Sequence, residues 1–370
     1  MRVKLEDVCE KGSSNIKQSD VENSNGDYPV FGASGYLGNV NFYHQDKPYV
    51  AVVKDGAGIG GTTMHPANSS VIGTMQYLLP KENILPEYLY YVVSYMNLSK
   101  YYSGATIPHI YFKDYKNEKF SLDCLDKQRQ IVMTLDKVQS IIDKRKKQLK
   151  KLDELVKSRF IEMFGDPNSN EKGWTVSTLG EYMTLLTDFS ANGSYELLDS
   201  NVVMYDEPNY AVMVRTTDLE AGNLTDGVKY IDRTAYELLS KSKLYGGELI
   251  MNKIGSAGKI YIMPQIDKPA SLGRNAFMFR FDDRINMVYL YALLSSDYGT
   301  KEIQQYVRGA VTKTITKEST RSIRVIVPPI ELQSQFAAFV KQVDKSKFEI
   351  KQSLEKLELL KKALMQKYFG

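Results

Sequence analysis

The chain carries two copies of one long helical segment, and this repeat constrains the fold more than any other feature of the sequence. Residues 125–165 and 330–370 align without a gap at a shift of 205 residues. Gln128 falls on Gln333 near the start of the alignment, and both copies close with Phe-Gly. A repeat of this length predicts a chain built from two related halves.

Both copies have the spacing of a coiled-coil seam, because apolar residues recur at steps of three and four. The residues predicted to pack between the helices are Ile131, Leu135, Val138, Ile142, Leu149, Leu152, Val156, Phe336, Val340, Val343, Ile350, Leu354, Leu357 and Leu364. At 1.5 Å per residue each helix is a rod of roughly 55 to 60 Å. One such helix cannot bury its stripe alone, so we expect the two to pair with each other. The alternative is two unrelated surface helices, each packed on its own neighbouring domain.

The remaining sequence falls into two blocks with a shared skeleton, which predicts two domains of mixed α/β structure. The strand and glycine turn at residues 49–58 are echoed at residues 248–258, and the helical run at 86–94 is echoed at 287–295. The predicted boundaries give a first domain at 1–124, a first helix at 125–165, a second domain at 166–327 and a second helix at 328–370. The loops of the two blocks differ much more than their helices do. A shared frame with divergent loops suggests two versions of one recognition module.

Composition excludes several classes of protein. The net charge of the chain is only +4. The first helical segment has eleven Lys and Arg against six Asp and Glu, the second has eight against five, and the remainder is therefore −4. A nonspecific nucleic-acid coat would be basic over its working surface, so any DNA contact must come from local patches. The sequence has no membrane-spanning apolar run and no apolar signal core, and Cys9 and Cys124 form no disulfide or zinc pattern, which together predict a cytoplasmic protein.

Three motifs could suggest chemistry, but each has a simpler interpretation. Residues 56–61 (GAGIGG) match a nucleotide-binding pattern, yet a strand-like run with a proline follows instead of a helix, so a tight hairpin is favoured. The three histidines lack metal-ligand spacing. Asp153 and Glu154 beside Lys157 are expected to form a solvated ion pair on the helix surface. We therefore predict no catalytic site, no metal and no bound cofactor in this chain.

Loops that combine small polar residues with cations are the candidates for contact with DNA. Arg and Lys suit guanine, Asn suits adenine, and Ser, Thr and turn amides suit phosphates. The candidate DNA-binding residues are Ser34, Lys54, His65, Asn68, Ser70, Thr106, His109 and Lys113 in the first block, and Arg215, Asn252, Lys253, Arg274, Asn275, Arg308, Thr312, Lys313 and Thr314 in the second. Any one of them could be an ordinary solvated loop residue, so the prediction depends on the set.

This organisation resembles the specificity subunit of type I restriction–modification systems. The resemblance covers essentially the whole chain and is carried by residues 28–35 (YPVFGASG), 128–131 (QRQI), 163–167 (MFGDP) and 328–335 (PPIELQSQ). It implies two target recognition domains, each reading half of a split site in double-stranded DNA. It also implies that the long helices pack antiparallel, act as a spacer and dock two methyltransferase subunits, which hold S-adenosylmethionine and flip the adenine. Restriction subunits with motor and nuclease activities join for cleavage.

One departure from the family pattern lies at the entry to the first helix, which reads DCL at residues 123–125 where the second copy has PPI at residues 328–330. Two other functions stay open from the sequence. One is a coiled-coil scaffold whose two domains bind protein rather than DNA. The other, a stand-alone DNA-modifying enzyme, lacks the expected motifs. If the helices act as a ruler, four residues added after Leu149 should shift the preferred spacer between half-sites.

Overall fold

The computed structural model describes residues 1–56, 58–103 and 108–370. The chain divides into two compact units, one formed by Met1–Gln148 with Glu349–Gly370 and the other by Leu149–Phe348. Each unit therefore contains one of the two blocks together with a part of both long helices. No helix among the described residues combines the length and the apolar character that crossing a membrane requires.

The first block consists of short strands and helices, numbered here along the chain. The strands are β1 (Arg2–Lys4), β2 (Cys9–Ser13), β3 (Tyr28–Gly32), β4 (Gly35–Val40), β5 (Tyr49–Val53), β6 (Thr62–His65), β7 (Ser70–Val71), β8 (Met75–Pro80) and β9 (Lys119–Ser121). The helices are α1 (Leu5–Val8), α2 (Gln18–Glu22), α3 (Pro86–Met96) and α4 (Phe112–Tyr115), and the first long helix α5 (Leu125–Phe164) follows.

A four-stranded antiparallel sheet in the order β2-β8-β5-β6 organises the first block. Every residue of β5 is buried, as expected for the continuous apolar run YVAVV between two partner strands. One face of the sheet packs against α3, where Tyr88, Leu89 and Val92 join a core with Val50 and Leu78. A three-stranded sheet, β4-β3-β7, and the pair β1-β9 complete the block.

The second block repeats this plan with insertions. Its strands are β10 (Thr175–Thr178), β11 (Met183–Asp188), β12 (Ala211–Val214), β13 (Lys229–Ile231), β14 (Lys243–Leu244), β15 (Leu249–Asn252), β16 (Ile260–Ile262), β17 (Ala270–Leu272), β18 (Ala276–Phe281) and β19 (Arg324–Val327). Its helices are α6 (Tyr195–Asn201), α7 (Thr216–Ala221), α8 (Arg233–Leu238), α9 (Met287–Ser295), α10 (Asp297–Gln304) and α11 (Lys317–Arg321), and the second long helix is α12 (Ile330–Phe369).

The sheets of the second block match those of the first. The order β11-β18-β15-β16 places β15 between two antiparallel partners, as β5 lies between β8 and β6. The pair β10-β19 corresponds to β1-β9. The other sheet, β13-β12-β17-β14, contains a parallel pair between β12 and β17. The internal repeat predicted from the sequence is therefore present in the strand pairing as well as in the helices.

In the first unit, the beginning of α5 and the end of α12 run antiparallel. Lys146 of α5 forms an ion pair with Glu358 of α12 at 3.3 Å. Seven residues earlier in α5, the Oε1 atom of Gln139 accepts a hydrogen bond from Lys361 Nζ at 2.6 Å. The C-terminal Phe369 is fully buried and joins the core of the first block.

In the second unit, the end of α5 and the beginning of α12 are also antiparallel. Lys347 of α12 lies 2.7 Å from a carboxylate oxygen of Asp153 in α5. Further along α5, the rings of Phe160 and Phe164 each lie 5.5 Å from the ring of Phe336, near the start of α12. Apolar and aromatic contacts thus join the two helices within this unit too.

The predicted fold class is confirmed: two mixed α/β domains are joined by two long antiparallel helices, with an internal repeat. Among the predicted packing residues, the buried ones are Ile131, Leu135, Val138, Ile142, Phe336 and Val343. The half-buried ones are Leu149, Leu152, Val156, Val340, Ile350, Leu354, Leu357 and Leu364. The first helix begins at Leu125 and ends one residue before the predicted Gly165. The four-part division by domain and helix remains a proposal, since the compact units each include parts of both helices.

Candidate nucleic-acid interface

Two loops of the first block are tied together by backbone hydrogen bonds, and we call them the first loop pair. One follows β5 at residues 54–61, and the other lies before α4 at residues 102–111, apart from the undescribed positions 57 and 104–107. The carbonyl of Lys54 accepts from the Ile110 amide at 2.9 Å, and the Pro108 carbonyl accepts from the Gly56 amide at 3.1 Å.

The second block forms the same bonds between residues 253–259 after β15 and residues 307–316 before α11, which we call the second loop pair. The Lys253 carbonyl accepts from the Ile315 amide at 3.1 Å. The Lys313 carbonyl accepts from the Gly255 amide at 2.9 Å. These two bonds repeat, position for position, those that hold the first loop pair.

A small bridge closes the second loop of each pair. In the first block, Ser103 and His109 exchange both backbone hydrogen bonds, at 3.0 and 2.8 Å. In the second block, Arg308 and Thr314 do the same, at 2.9 and 2.7 Å. Ser103 and Arg308 are 205 residues apart, as are His109 and Thr314, so the bridge lies at the same place in the repeat.

Glycines allow the first loop of each pair to turn immediately after its strand. Gly56 and Gly255 have φ angles of +86° and +80°, a left-handed conformation that other residues rarely adopt. The run at residues 56–61 leads into the strand β6 and not into a helix. Backbone amides at a helix N-terminus, which bind phosphate in nucleotide sites, are therefore not presented by this run. Its structural role is the tight turn.

The side chains of the first loop pair include a carboxylate–imidazole contact. Asp55 Oδ1 lies 2.7 Å from His109 Nδ1, so this contact joins the two loops. The Tyr111 ring is stacked beside His109 with centroids 6.3 Å apart, and Lys113 Nζ lies 5.3 Å from the centre of the Tyr111 ring. Tyr111 and Lys113 are exposed. An exposed aromatic ring and an exposed cation are both suited to nucleic acid.

The second loop pair is tied by a carboxylate between two lysines. Asp188, at the end of β11, accepts a hydrogen bond from Lys253 Nζ and another from Lys317 Nζ, both at 2.9 Å. Burial alone would raise the pKa of the Asp188 carboxyl, but the hydrogen bonds from Lys317 and Lys253 outweigh it and hold the pKa below its ordinary value. The carboxylate is thus charged and engaged with both amines.

Most of the predicted DNA-binding residues lie at least partly at the surface. The exposed ones are Ser34, Asn68, Lys113, Asn275, Arg308, Thr312, Lys313 and Thr314. The half-buried ones are Lys54, His109, Arg215, Lys253 and Arg274. The two loop pairs bring together Lys54 with His109, and Lys253 with Arg308, Thr312, Lys313 and Thr314. Thr106 lies outside the described residues.

Three of the predicted residues are buried, contrary to our expectation of solvated loop positions. His65 packs on the rings of Phe31 and Tyr49, at 4.5 and 5.3 Å, and burial lowers its pKa to about 4. Ser70 is fully buried and accepts the His44 amide at 2.9 Å. The third, Asn252, ends the central strand β15 and is buried as well. Their side chains are part of the interior, and we leave them out of the proposed interface.

Two arginines of the predicted set are already engaged. Arg215 makes a forked contact with the buried Asp218, at 2.6 Å for its shortest bond, and Asp218 caps α7 by accepting the Arg215 backbone amide at 2.9 Å. Arg274 donates to Asp199 at 3.1 Å, and its guanidinium lies 5.0 Å from the centre of the Phe189 ring. These pairs stabilise local structure, so each arginine would have to give up a partner to contact a base.

The sequence interpretation missed residues that the structure brings to the second loop pair. Asp188 is 65 residues away from Lys253 in sequence, so no local pattern could connect them. Val311 lies at the tip of the loop before α11 with 98% of its surface exposed. An apolar residue within a run of Gly, Ala and Thr gives no signal of that exposure. Among the described residues, no group of three or more His, Cys, Asp and Glu side chains is placed to hold a metal ion.

Two modules with one loop framework and different loop side chains, joined by two long helices, define a duplicated recognition protein. The model of the family described as "Type I restriction modification DNA specificity domain" matches residues 1–154 and 171–361. The chain therefore belongs to the type I restriction–modification DNA specificity family. Specificity subunits are non-catalytic as a family, and this membership favours the DNA role over a protein-binding scaffold.

Curated relatives and solved structures agree with this membership. The chain is 26% identical over 307 residues to the type I restriction enzyme MjaVIII specificity subunit of Methanocaldococcus jannaschii, covering 79% of this chain and 71% of the relative. It is 23% identical over 315 residues to the MjaIX specificity subunit of the same organism, covering 78% and 69%.

Two solved structures share the fold. The type I restriction-modification S subunit from M. genitalium matches with a TM-score of 0.60 at 15% identity, over 100% of this chain and 96% of that one. A chain from a study of complex assembly and conformational transition in the type I restriction–modification system matches with a TM-score of 0.54 at 16% identity, over 100% and 97%.

Proposed function

We propose that this chain supplies sequence specificity to a type I restriction–modification complex by reading a bipartite site in double-stranded DNA, one half with each loop pair. The observation that carries the proposal is the repetition of the same backbone bonds around two different sets of side chains. A fixed backbone holds a recognition loop in register with a duplex, while variable side chains choose the bases.

The proposed contacts differ between the two loop pairs. In the first, Lys54 and His109 provide a cation and an imidazole, and Lys113 follows the second loop by two residues in α4. Ser34 and Asn68 are exposed elsewhere in the first block. In the second, Arg308 and Lys313 are suited to guanine or phosphate, and the hydroxyls of Thr312 and Thr314 are suited to phosphate. Asn275 is exposed directly before β18 and is suited to adenine.

We further propose that the long helices set the spacing of the half-sites and dock two methyltransferase subunits, which restriction subunits join in the cytoplasm. An open groove of about 900 Å³ in the second unit supports the docking role. Val156, Phe160 and Ile161 of α5 line it together with Tyr291 of α9 and Val340 of α12. Ile161 is an exposed apolar residue in this groove, which suits a protein partner.

A domain exchange tests the division of labour. Residues 1–124 would be replaced by those of a relative that recognises a different site, and the complex with its methyltransferase subunits would be used to map modified adenines. We expect one half of the motif to change and the other to stay. The reciprocal exchange of residues 166–327 is the matched control and should change only the other half. A change in both halves, or in neither, would contradict the proposal.

A change in the length of both long helices tests whether they set the spacing of the half-sites. One heptad inserted after Leu149 in α5, with another after Phe348 in α12, preserves the seam and adds about 10 Å to each helix. We expect the preferred gap between half-sites to change while both half-site sequences stay the same. The control inserts a flexible stretch of equal length into the loop at residues 223–226, within the second block. An unchanged gap in the heptad variant would show that the long helices do not set the spacing of the half-sites.

A further inference from the structure

A buried carboxylate fastens both ends of the second loop pair. Asp188 is only 6% exposed and lies at the end of β11, outside both loops. It binds the amine of Lys253, the first residue after β15, and the amine of Lys317, the first residue of α11. Because Lys253 begins one loop and Lys317 follows the other, a single side chain links the entry of the first loop to the exit of the second.

A backbone hydrogen bond also joins the two loops near the same point. The Lys253 carbonyl accepts from Ile315, two residues before Lys317. The side chains of Lys253 and Lys317 are 15% and 32% exposed, so both amines are partly withdrawn from solvent. The loop that carries Arg308 and Lys313 therefore projects from a base that is fixed by charge as well as by amide hydrogen bonds.

The same contact also limits the charge that DNA would meet. Two lysines with one carboxylate carry a net charge of +1, whereas the lysines alone would carry +2. Each cation that contacts a phosphate strengthens binding regardless of sequence and adds about 0.9 to the slope of log affinity against log salt. A carboxylate that engages both amines thus disfavours sequence-independent binding at the base of a recognition loop.

We propose that Asp188 is a positioning residue for DNA specificity, which holds the second loop pair in its reading geometry and withholds two lysines from nonspecific phosphate contacts. The inference rests on the proposed function and deepens it for the second half-site. In the first block a different carboxylate links the two loops, because Asp55 contacts His109. A carboxylate link between the loops is thus found in both blocks.

The test compares Asp188→Asn with the wild-type chain, each assembled with its methyltransferase subunits. The probes are a duplex carrying the mapped motif and two duplexes in which one half-site is scrambled. We expect the variant to bind the duplex scrambled in its second half several-fold more tightly, with a salt slope steeper by about 1. Discrimination at the second half-site should fall about tenfold, while discrimination at the first should stay unchanged.

Two further variants separate positioning from charge. Glu237→Gln makes the same change in net charge at a carboxylate that pairs with Lys243, 2.6 Å away, outside the loop pair. It should leave discrimination and salt slope as in the wild type. The double variant Asp188→Asn with Lys317→Gln restores the net charge of the cluster. Its salt slope should return to the wild-type value while discrimination at the second half-site stays low.

Unchanged discrimination in Asp188→Asn, or an equal change in Glu237→Gln, would overturn the inference. If Asp188→Asn does not fold, Lys317→Gln carries the test, because it removes one anchor without leaving a buried charge unpaired. It should lose discrimination at the second half-site without gaining nonspecific affinity, and unaltered discrimination would again overturn the role of Asp188. A wild-type complex that shows no preference for any sequence would instead contradict the proposed function itself.

Discussion

The two loop pairs share their backbone bonds but differ in the side chains that lock them. In the first block Asp55 reaches His109 from within the loop pair, at 2.7 Å. In the second, Asp188 contacts Lys253 and Lys317 from the end of β11, outside the loop pair. The same backbone frame is thus locked by different side chains in the two blocks, which leaves the exposed loop side chains free to differ in what they recognise.

The junctions between the blocks and the long helices show the opposite behaviour. Gln128, near the start of α5, accepts from the Leu85 amide at 2.9 Å and donates to the Asn83 and Asp123 carbonyls. Gln333, near the start of α12, makes the same three kinds of bond in its own unit. Here both the residue and its bonds are repeated, because the task of seating a helix on its block is the same in both units.

The largest expected effect comes from the aromatic residue that closes each long helix. Phe369 packs on Tyr88 in the first unit, and Phe164 packs on Tyr289 in the second, with centroids 5.2 and 4.7 Å apart. We expect Phe369→Ala and Phe164→Ala each to lower the free energy of unfolding by about 3–5 kcal/mol, since each leaves a cavity in a core. Denaturant unfolding, followed by hydrogen exchange in each block, measures the losses.

The exposed Phe348 provides the matched control, and Phe348→Ala should change the free energy of unfolding by less than about 0.5 kcal/mol. The comparison also predicts where each loss appears. Phe369→Ala should speed exchange in β5, and Phe164→Ala should speed exchange in β15. Similar small losses for all three variants would show that the repeated Phe-Gly ends do not act as equivalent core residues.

The next effect distinguishes the two central sheets. His65 faces Tyr49 across the strand pair β6-β5, whereas the corresponding position of the second block is the apolar Met263, whose amide donates to the Glu248 carbonyl at 2.8 Å. Burial lowers the pKa of His65 to about 4, against about 6.5 when unfolded. Between these values the unfolded chain binds the additional proton, so stability falls as the pH drops from about 6.5 to about 4, by about 3 kcal/mol in total.

The pH dependence can be isolated with His65→Gln, which removes the titrating ring and keeps a polar group for Thr63. The difference in free energy of unfolding between the wild type and this variant should shift by about 3 kcal/mol between pH 7.5 and pH 4. Exchange in the second block serves as the internal reference. A difference that is constant over this range would mean that the pKa of His65 is the same in the folded and unfolded chain, so that burial does not lower it.

The glutamine junctions should show a somewhat smaller loss. Gln128→Ala and Gln333→Ala each leave a partly buried backbone amide and two carbonyls without their side-chain partner, which we expect to cost about 2 kcal/mol. The exposed Gln130 and Gln335 are the controls, and their alanine variants should be nearly neutral. Equal losses in both junctions would support their equivalence, and a loss in only one would break it.

What the sequence predicts and what it does not also divides between the repeated helical framework and the loops. Heptad spacing at Ile131 or Phe336 and the gap-free repeat are local or periodic signals, so they predict the helices and the duplicated fold. Ser70 and His65 carry polar side chains in turn-rich sequence, yet both are buried by strands that pair over long distances. The Asp188 contact joins three elements that no sequence window contains, which is why the side-chain contacts of the second loop pair could not be predicted from the sequence.

The smallest expected effects test whether the exposed loop lysines contact phosphates. Lys113 lies two residues after the first loop pair and Lys313 lies within the second, and both are exposed. Lys113→Gln and Lys313→Gln should each weaken binding by a few-fold on all sequences and reduce the salt slope by about 1. The exposed Lys362 of α12 is the control, and Lys362→Gln should leave the slope unchanged. A loss confined to the cognate motif in either loop variant would instead assign that lysine to base recognition, because a phosphate contact weakens cognate and noncognate binding alike.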